Sequence, residues 1–177
     1  MEYSTYQKGA KILSWFLTPV TVCLAVPLYK QFQVLKKNLP AVGVGILFGC
    51  IANMAVILVI MLMAGAERIL TVSLLPKSIT TAIALGVCTE AGGIEAVTII
   101  GIMVAGLFGG VFGPETLKLF RVKEPVAQGL AMGTASHAIG TSRAAELGEV
   151  QQAMSSLAIV VNGVLTAVVT PVIISMI

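Results

Sequence analysis

The chain has 177 residues, of which 57% are hydrophobic and only 11% charged, and its mean hydropathy is +0.99. A soluble domain carries about 25% charged residues, so a soluble globular domain is excluded and an integral membrane protein is indicated. The formal net charge of +3 comes from scattered loop lysines rather than from one basic face, which excludes nucleic acid as a partner. Cys23, Cys50 and Cys88 lie far apart inside apolar segments with no CxxC pair. That spacing suggests neither a metal site nor a disulfide framework, and they are read as buried free thiols.

Apolar runs cover 12–29, 39–66, 69–89, 94–112 and 151–177. A helix needs about 20 residues to cross the hydrocarbon core, and no strand-like alternation is present, so the spanning elements are helices. The reading is a single all-α membrane domain over 1–177. The N-terminus has an acidic residue at Glu2 and no basic leader ahead of a cleavable apolar region, so it is not a signal peptide. The first run, Ile12 to Tyr29, contains Pro19 and Pro27; it is a kinked or discontinuous helix or an ordinary span with a proline kink.

Residues 31–39 read as a short loop. With Lys30, Lys36 and Lys37 it should face the cytoplasm by the positive-inside rule. The second span begins at Pro40 and ends near Gly65, with Gly45 and Gly49 spaced for close helix packing. Its strongly polar interior residue is Asn53, read as a packing hydrogen bond before a substrate contact. Next comes an anomaly, Leu74-Leu-Pro-Lys-Ser-Ile-Thr-Thr-Ala-Ile-Ala84. Pro76 breaks the run, and Lys77 sits where a charge is costly unless it reaches a partner, a cavity or water. Ser78, Thr80 and Thr81 add hydroxyls beside it, as a binding lining does; the alternative is an interfacial turn from which Lys77 snorkels. Thr21 to Pro27 and Thr80 to Gly86 each follow a proline by a few residues, a short match of the kind seen in transporters with internal repeats.

The fourth span, Ile94 to Phe112, packs through Gly106, Gly109, Gly110 and Gly113, and its exit from Gly113 to Pro125 reads as an amphipathic turn. Lys118, Arg121 and Lys123 should share the side of the first lysines, yet three simple crossings put them opposite. One segment therefore does not cross, and residues 69–89 are expected to be re-entrant or broken.

The densest polar stretch is Thr134-Ala-Ser-His-Ala-Ile-Gly-Thr-Ser-Arg-Ala-Ala-Glu146, with the chain's one histidine. The apolar length from Val126 to Ile139 is about 14 residues, which suits a half-helix or re-entrant entry. If a helix restarts after Gly140, Thr141 or Ser142 caps it, its free amides favour an anion, and Arg143 presents a fork matched to a carboxylate. Glu146 is placed to pair with Arg143. His137 is either satisfied by a backbone carbonyl or has a proton or anion role; with no second histidine it is not a metal ligand. Ser136 adjoins His137, and no G-x-S-x-G elbow occurs, so no enzyme, metal or cofactor is expected. In the final run, Ser155, Ser156 and Asn162 face the bundle if it packs against this stretch; otherwise it is a plain terminal span.

Several motifs carry a family resemblance. They are Pro19-Val-Thr-Val-Cys-Leu-Ala-Val-Pro-Leu-Tyr29, Leu75-Pro-Lys-Ser-Ile-Thr-Thr81, Gly92-Gly-Ile94, Gly113-Pro114, Leu117-Lys-Leu119, Gly129 to Ala145, Ser156-Leu-Ala158 and Asn162-Gly163. Together they resemble the LrgB/CidB family of bacterial membrane proteins over nearly the whole chain. The resemblance implies a polytopic protein of the bacterial inner membrane that works beside a small LrgA/CidA-type partner; with the breaks and the short match read above, the expectation is an all-α bundle with broken or re-entrant helices, an inverted internal repeat and a homo-oligomeric state. That family was named for antiholin-like control of murein hydrolase activity and cell lysis; its plastid relative moves glycolate and glycerate, and bacterial members are linked to pyruvate. The leading expectation is thus a carrier for small monocarboxylates with proton coupling. Lys77 and Arg143 hold the carboxylate, Ser78, Thr80, Thr81, Ser136 and Thr141 orient it, His137 carries the proton or a second anion contact, and Glu146, Asn53 and Asn162 give support. The alternative is a holin/antiholin-like regulator of murein hydrolase export and lysis. Two departures stand out: family members usually carry hydrophobic sequence ahead of the region matching Tyr3, and Ala82 replaces an expected proline.

Overall fold

The computed structural model describes Cys23 and residues 25–176. Regular structure within them is helical: α1 (Ala25–Lys30), α2 (Phe32–Lys37), α3 (Leu39–Met63), α4 (Arg68–Leu74), α5 (Thr81–Glu90), α6 (Glu95–Leu119), α7 (Pro125–Leu147) and α8 (Glu149–Ile174). The helices α3, α6 and α8 are long and apolar enough to cross a membrane. Their outward faces expose large apolar side chains, among them Phe48, Val59, Phe108, Phe112 and Val168, a surface suited to lipid rather than to water.

The α3 and α8 helices run in the same direction. Ile46 packs in one cluster with Ala153 and Ala158, and Met54 and Ile57 pack in the next with Val169 and Ile173. Between α3 and α6 the chain dips inward and returns. Arg68, at the start of α4, donates to the Ile174 carbonyl at the far end of α8 (3.1 Å), whereas Leu75 packs with Met54 and Cys50 near the middle of α3. Pro76 stops the helix there. The α5 helix then runs back along α8, with Ile83 against Gly163 and Glu90 beside Ile174 and Arg68. Residues 68–90 are therefore a re-entrant hairpin, as the charge parity of the flanking loops requires.

The α7 helix is a second hairpin. Ser136 (φ −132°, ψ 15°) and His137 (φ 41°, ψ −133°) leave helical geometry, and a methyl group at Gly140 would lie 2.6 Å from Ser136 Cβ and against the Met132 carbonyl. Residues eight apart in a straight helix are separated by about 12 Å, so the chain has folded back on itself. Ala144 accordingly shares a cluster with Met132 and Leu117. The inward arm lies on the first half of α8 with almost no space between backbones: a methyl group at Gly133 would meet Ala158 Cβ at 2.8 Å and the Ser155 carbonyl. Only glycine permits that approach.

The first hairpin enters from one end of the bundle and the second from the other, each followed by a span-length helix of opposite direction. Within the described residues the halves so related are 68–119 and 125–174. The run from Ile12, with Pro19 and the Thr21 match, lies outside the described residues up to Cys23. Three expectations are corrected. Residues 32–37 are helical, ended where the Asn38 backbone and side-chain amides bond the Val34 carbonyl (3.2 and 2.8 Å). The α6 helix runs through Pro114 to Leu119, where the proline gives up its bond to the Gly110 carbonyl without ending the helix. Cys23 is exposed, while Cys50 and Cys88 are buried as expected.

Candidate functional site

The two hairpin tips meet inside the bundle. At the first tip Lys77 Nζ donates to Asn53 Oδ1 (2.8 Å) and to Ser78 Oγ (3.1 Å). Lys77 is half-buried, and among the described residues it forms no ion pair. At the second tip the carbonyl of Thr134 is left over where the helix breaks. Asn162, 1% exposed on α8, spans the two: its Nδ2 donates to Ser78 O (3.3 Å) and Thr134 O (3.2 Å). Its Oδ1 is buried and has no partner. Two backbone carbonyls freed by two separate breaks are thus held by one amide, which is how unwound backbone is satisfied away from water.

His137 is buried and pivots the second tip. Its Nε2 sits 2.9 Å from the Ile102 carbonyl, which can only accept, so Nε2 carries the proton of this bond and Nδ1 is the ring's other site. The α6 glycines make room: a methyl group at Gly106 would lie 2.6 Å from His137 Cε1, and one at Gly109 would collide with the Ser136 side chain. Both contacts fall near the middle of α6. Thr141 donates to the His137 carbonyl (3.1 Å) and shares a 2.7 Å bond with Ser155 Oγ. Ser142 likewise turns back to the Ala138 carbonyl (3.2 Å), so neither hydroxyl caps the returning arm.

Of the residues singled out in the sequence, Lys77, Ser78, Asn53 and Asn162 form one bonded group, and Ser136, His137 and Thr141 line the adjoining tip. Thr80 stands at the start of α5 without a side-chain cap bond, and Thr81 faces outward. Arg143 does not join Lys77. It lies on the returning arm, 42% exposed at the side chain, and pairs with Glu146, because the fold-back at His137 carries it away from the tips. Sequence reading missed the pair Ser73 and Thr98, whose bond (Thr98 Oγ1 to Ser73 O, 2.7 Å) fixes the first hairpin to α6. Hydroxyls recurring in apolar runs were the available signal.

Comparison with known proteins agrees over the whole chain. The model of the LrgB-like family matches residues 1–176. Proteins named "Antiholin-like protein LrgB" from Bacillus mycoides (strain KBAB4), Bacillus cereus (strain B4264) and Bacillus anthracis (strain CDC 684 / NRRL 3495) are each 41% identical over 169 residues, covering 96% of this chain and 74% of the relative. No solved structure matches.

Proposed function

The chain belongs to the LrgB-like family, and from that premise we propose that it acts in the bacterial inner membrane as an antiholin-like regulator of murein hydrolase export and cell lysis. The observation that carries this reading is the name shared by relatives 41% identical over 96% of the chain, which favours it over transport. Three span-length helices with apolar outer faces supply the body such a regulator needs, and the same faces suit a small LrgA/CidA-type membrane partner or further copies of the chain. Lys36, Lys37, Lys118 and Lys123 fall at one end of the bundle, which the positive-inside rule assigns to the cytoplasm. Neither this reading nor the next gives the protein a bond-making step. Controlled expression in a bacterial host tests it: extracellular murein hydrolase activity falls and lysis is delayed. Hydrolase release and lysis timing indistinguishable from the empty vector remove the reading.

A second reading is favoured by one specific arrangement, the two oppositely entering hairpins whose tips meet at Asn162 beside Lys77. Paired broken helices of inverted topology receive substrates in secondary transporters, with half-helix N-termini turned toward anionic groups. On this reading the chain carries small monocarboxylates of the pyruvate, glycolate and glycerate class. Lys77 takes the carboxylate, Ser78 and Ser136 orient it, and a proton role falls to Nδ1 of His137. Arg143 and Thr81 stand outside the first contact. Saturable uptake into liposomes, measured with and without a pH gradient, is expected to disappear in Lys77→Gln and survive in Arg143→Gln. Uptake equal to that of empty vesicles eliminates the carrier.

A further inference from the structure

An open cavity of about 570 Å³ runs between α3 and the inward arm of α7. Asn38 and Glu124 lie at its outer end, Asn53 and Ala135 at its inner end, with Gly45, Gly49, Ala127 and Ala131 along its walls. Asn38 to Asn53 is about 22 Å along a helix axis, so the groove reaches from one end of the bundle to the level of the hairpin tips. We propose that this groove is a water-filled path along which a small organic anion reaches Lys77 from the basic end of the bundle, with Asn53 between the path and the lysine.

Three observations carry it. Asn53 both lines the groove and accepts the Lys77 hydrogen bond, so the cation stands directly behind the inner wall. Lys77 has no acidic partner among the described residues, and its two bonds leave one ammonium proton uncommitted. Lys36 and Lys37 end α2 next to Asn38 at the mouth, and the acidic wall residue Glu124 adjoins Lys123. These lysines stand outside the lining, in which Glu124 is the one ionisable residue, so the attraction for an anion comes from Lys77 behind the inner wall, and a cation there raises the local concentration of its counter-ion. The walls are small side chains, which keep the groove wide; a methyl group at Gly49 would already lie 3.3 Å from Thr134 Oγ1. The identity of the traveller rests on the carrier reading, but the existence of the path does not.

The test uses single cysteines in a background with Cys23, Cys50 and Cys88 replaced by serine. Ala131→Cys and Ala135→Cys report the groove, and Phe48→Cys, 68% exposed on the outer side of α3 in the wild type, reports the lipid face. Each is treated in sealed vesicles with an anionic sulfonatoethyl thiosulfonate and its trimethylammonium counterpart. Both groove cysteines should react from the Lys36 side faster with the anion, by about tenfold, while Phe48→Cys reacts with neither. Because Lys77 is intact throughout, the charge preference is read without altering the lysine itself, and the unlabelled background is first shown to melt with the wild type. Groove cysteines reached only by lipophilic N-phenylmaleimide mean an acyl chain fills the groove, and groove cysteines reached by no reagent mean a helix of a second copy does; either result overturns the path, as does faster reaction with the cation. Labelling without saturable uptake keeps the path and removes the carrier, whereas saturable uptake without labelling removes the path alone.

Discussion

Replacing Asn162 is the most direct probe of how the two hairpins are joined. Its Nδ2 makes two bonds, at 3.3 and 3.2 Å, to carbonyls of different hairpins. Side-chain hydrogen bonds between helices in membranes average about 0.6 kcal/mol and reach about 1.7 kcal/mol, so the pair contributes roughly 1 to 3 kcal/mol. Asn162→Ala also removes Oδ1, which is buried without a partner, and that relief returns part of the loss; the net cost is about 1 kcal/mol. Asn162→Asp keeps the shape but sets carboxyl oxygens against both carbonyls, so two bonds are lost and replaced by repulsion between acceptors, which costs about 3 kcal/mol. A chain of this size loses about 2–4 °C of melting temperature per kcal/mol, so the aspartate variant should melt roughly 6–12 °C below wild type and the alanine variant only slightly below. Unfolding in detergent can be followed with a thiol-reactive dye, because Cys50 and Cys88 are buried and exposed Cys23 can be replaced by serine beforehand. An aspartate variant that melts with the wild type, or below it by no more than the alanine variant, refutes the account of Asn162 as the link.

Three further outcomes follow from the same geometry. Gly133→Ala places a methyl group against the Ser155 carbonyl and Ala158 and should cost about 1–3 kcal/mol, whereas Gly43→Ala, in a helix with nothing within 4 Å, should hold or slightly raise the melting temperature; equal effects contradict the tight contact of α7 with α8. At His137 the positive φ of 41° penalises any side chain by roughly 1–2 kcal/mol, so His137→Gly should melt above His137→Ala although both lose the bond to Ile102; the reverse order speaks against a strained pivot. Cysteines at Glu67 and Glu90 should react with an impermeant thiol reagent from the same face of sealed vesicles, and opposite faces would sink the re-entrant hairpin.

Much of the architecture was legible in the sequence because charge and length are read independently of packing. The parity of the lysine-bearing ends demanded that 69–89 fail to cross, and the short apolar length from Val126 to Ile139 demanded a half-helix; both segments are hairpin arms. For the last helix the sequence left two readings open, and the burial of Ser155, Ser156 and Asn162 decides for the one that packs against the polar stretch. The sharp fold-back was not legible. No glycine or proline marks Ser136 and His137, and a positive φ at histidine depends on the tertiary bond to Ile102 and on the space beside Gly106. Missing the direction of the returning arm misplaced Arg143, which a straight continuation puts near the tips and the fold-back puts beside Glu146 at the surface. Likewise Thr141 and Ser142, read as caps, bond carbonyls four residues earlier, because the arm is already helical when it reaches them.

The two hairpins do the same structural task by different chemistry, which is why no sequence repeat betrays them. In the first, Pro76 withholds an amide and stops the helix; in the second, His137 takes a left-handed φ and turns it. A repeat search compares residue types, and proline followed by lysine shares nothing with serine followed by histidine. What the halves do share is the consequence of breaking: a carbonyl set free away from water, at Ser78 in one and Thr134 in the other. Such groups must be satisfied inside the protein, and a single amide with two hydrogens can serve both only if the tips lie within its reach. The position of Asn162 on α8 therefore constrains both hairpins together, and any motion of one tip has to break or carry along its bond to the other.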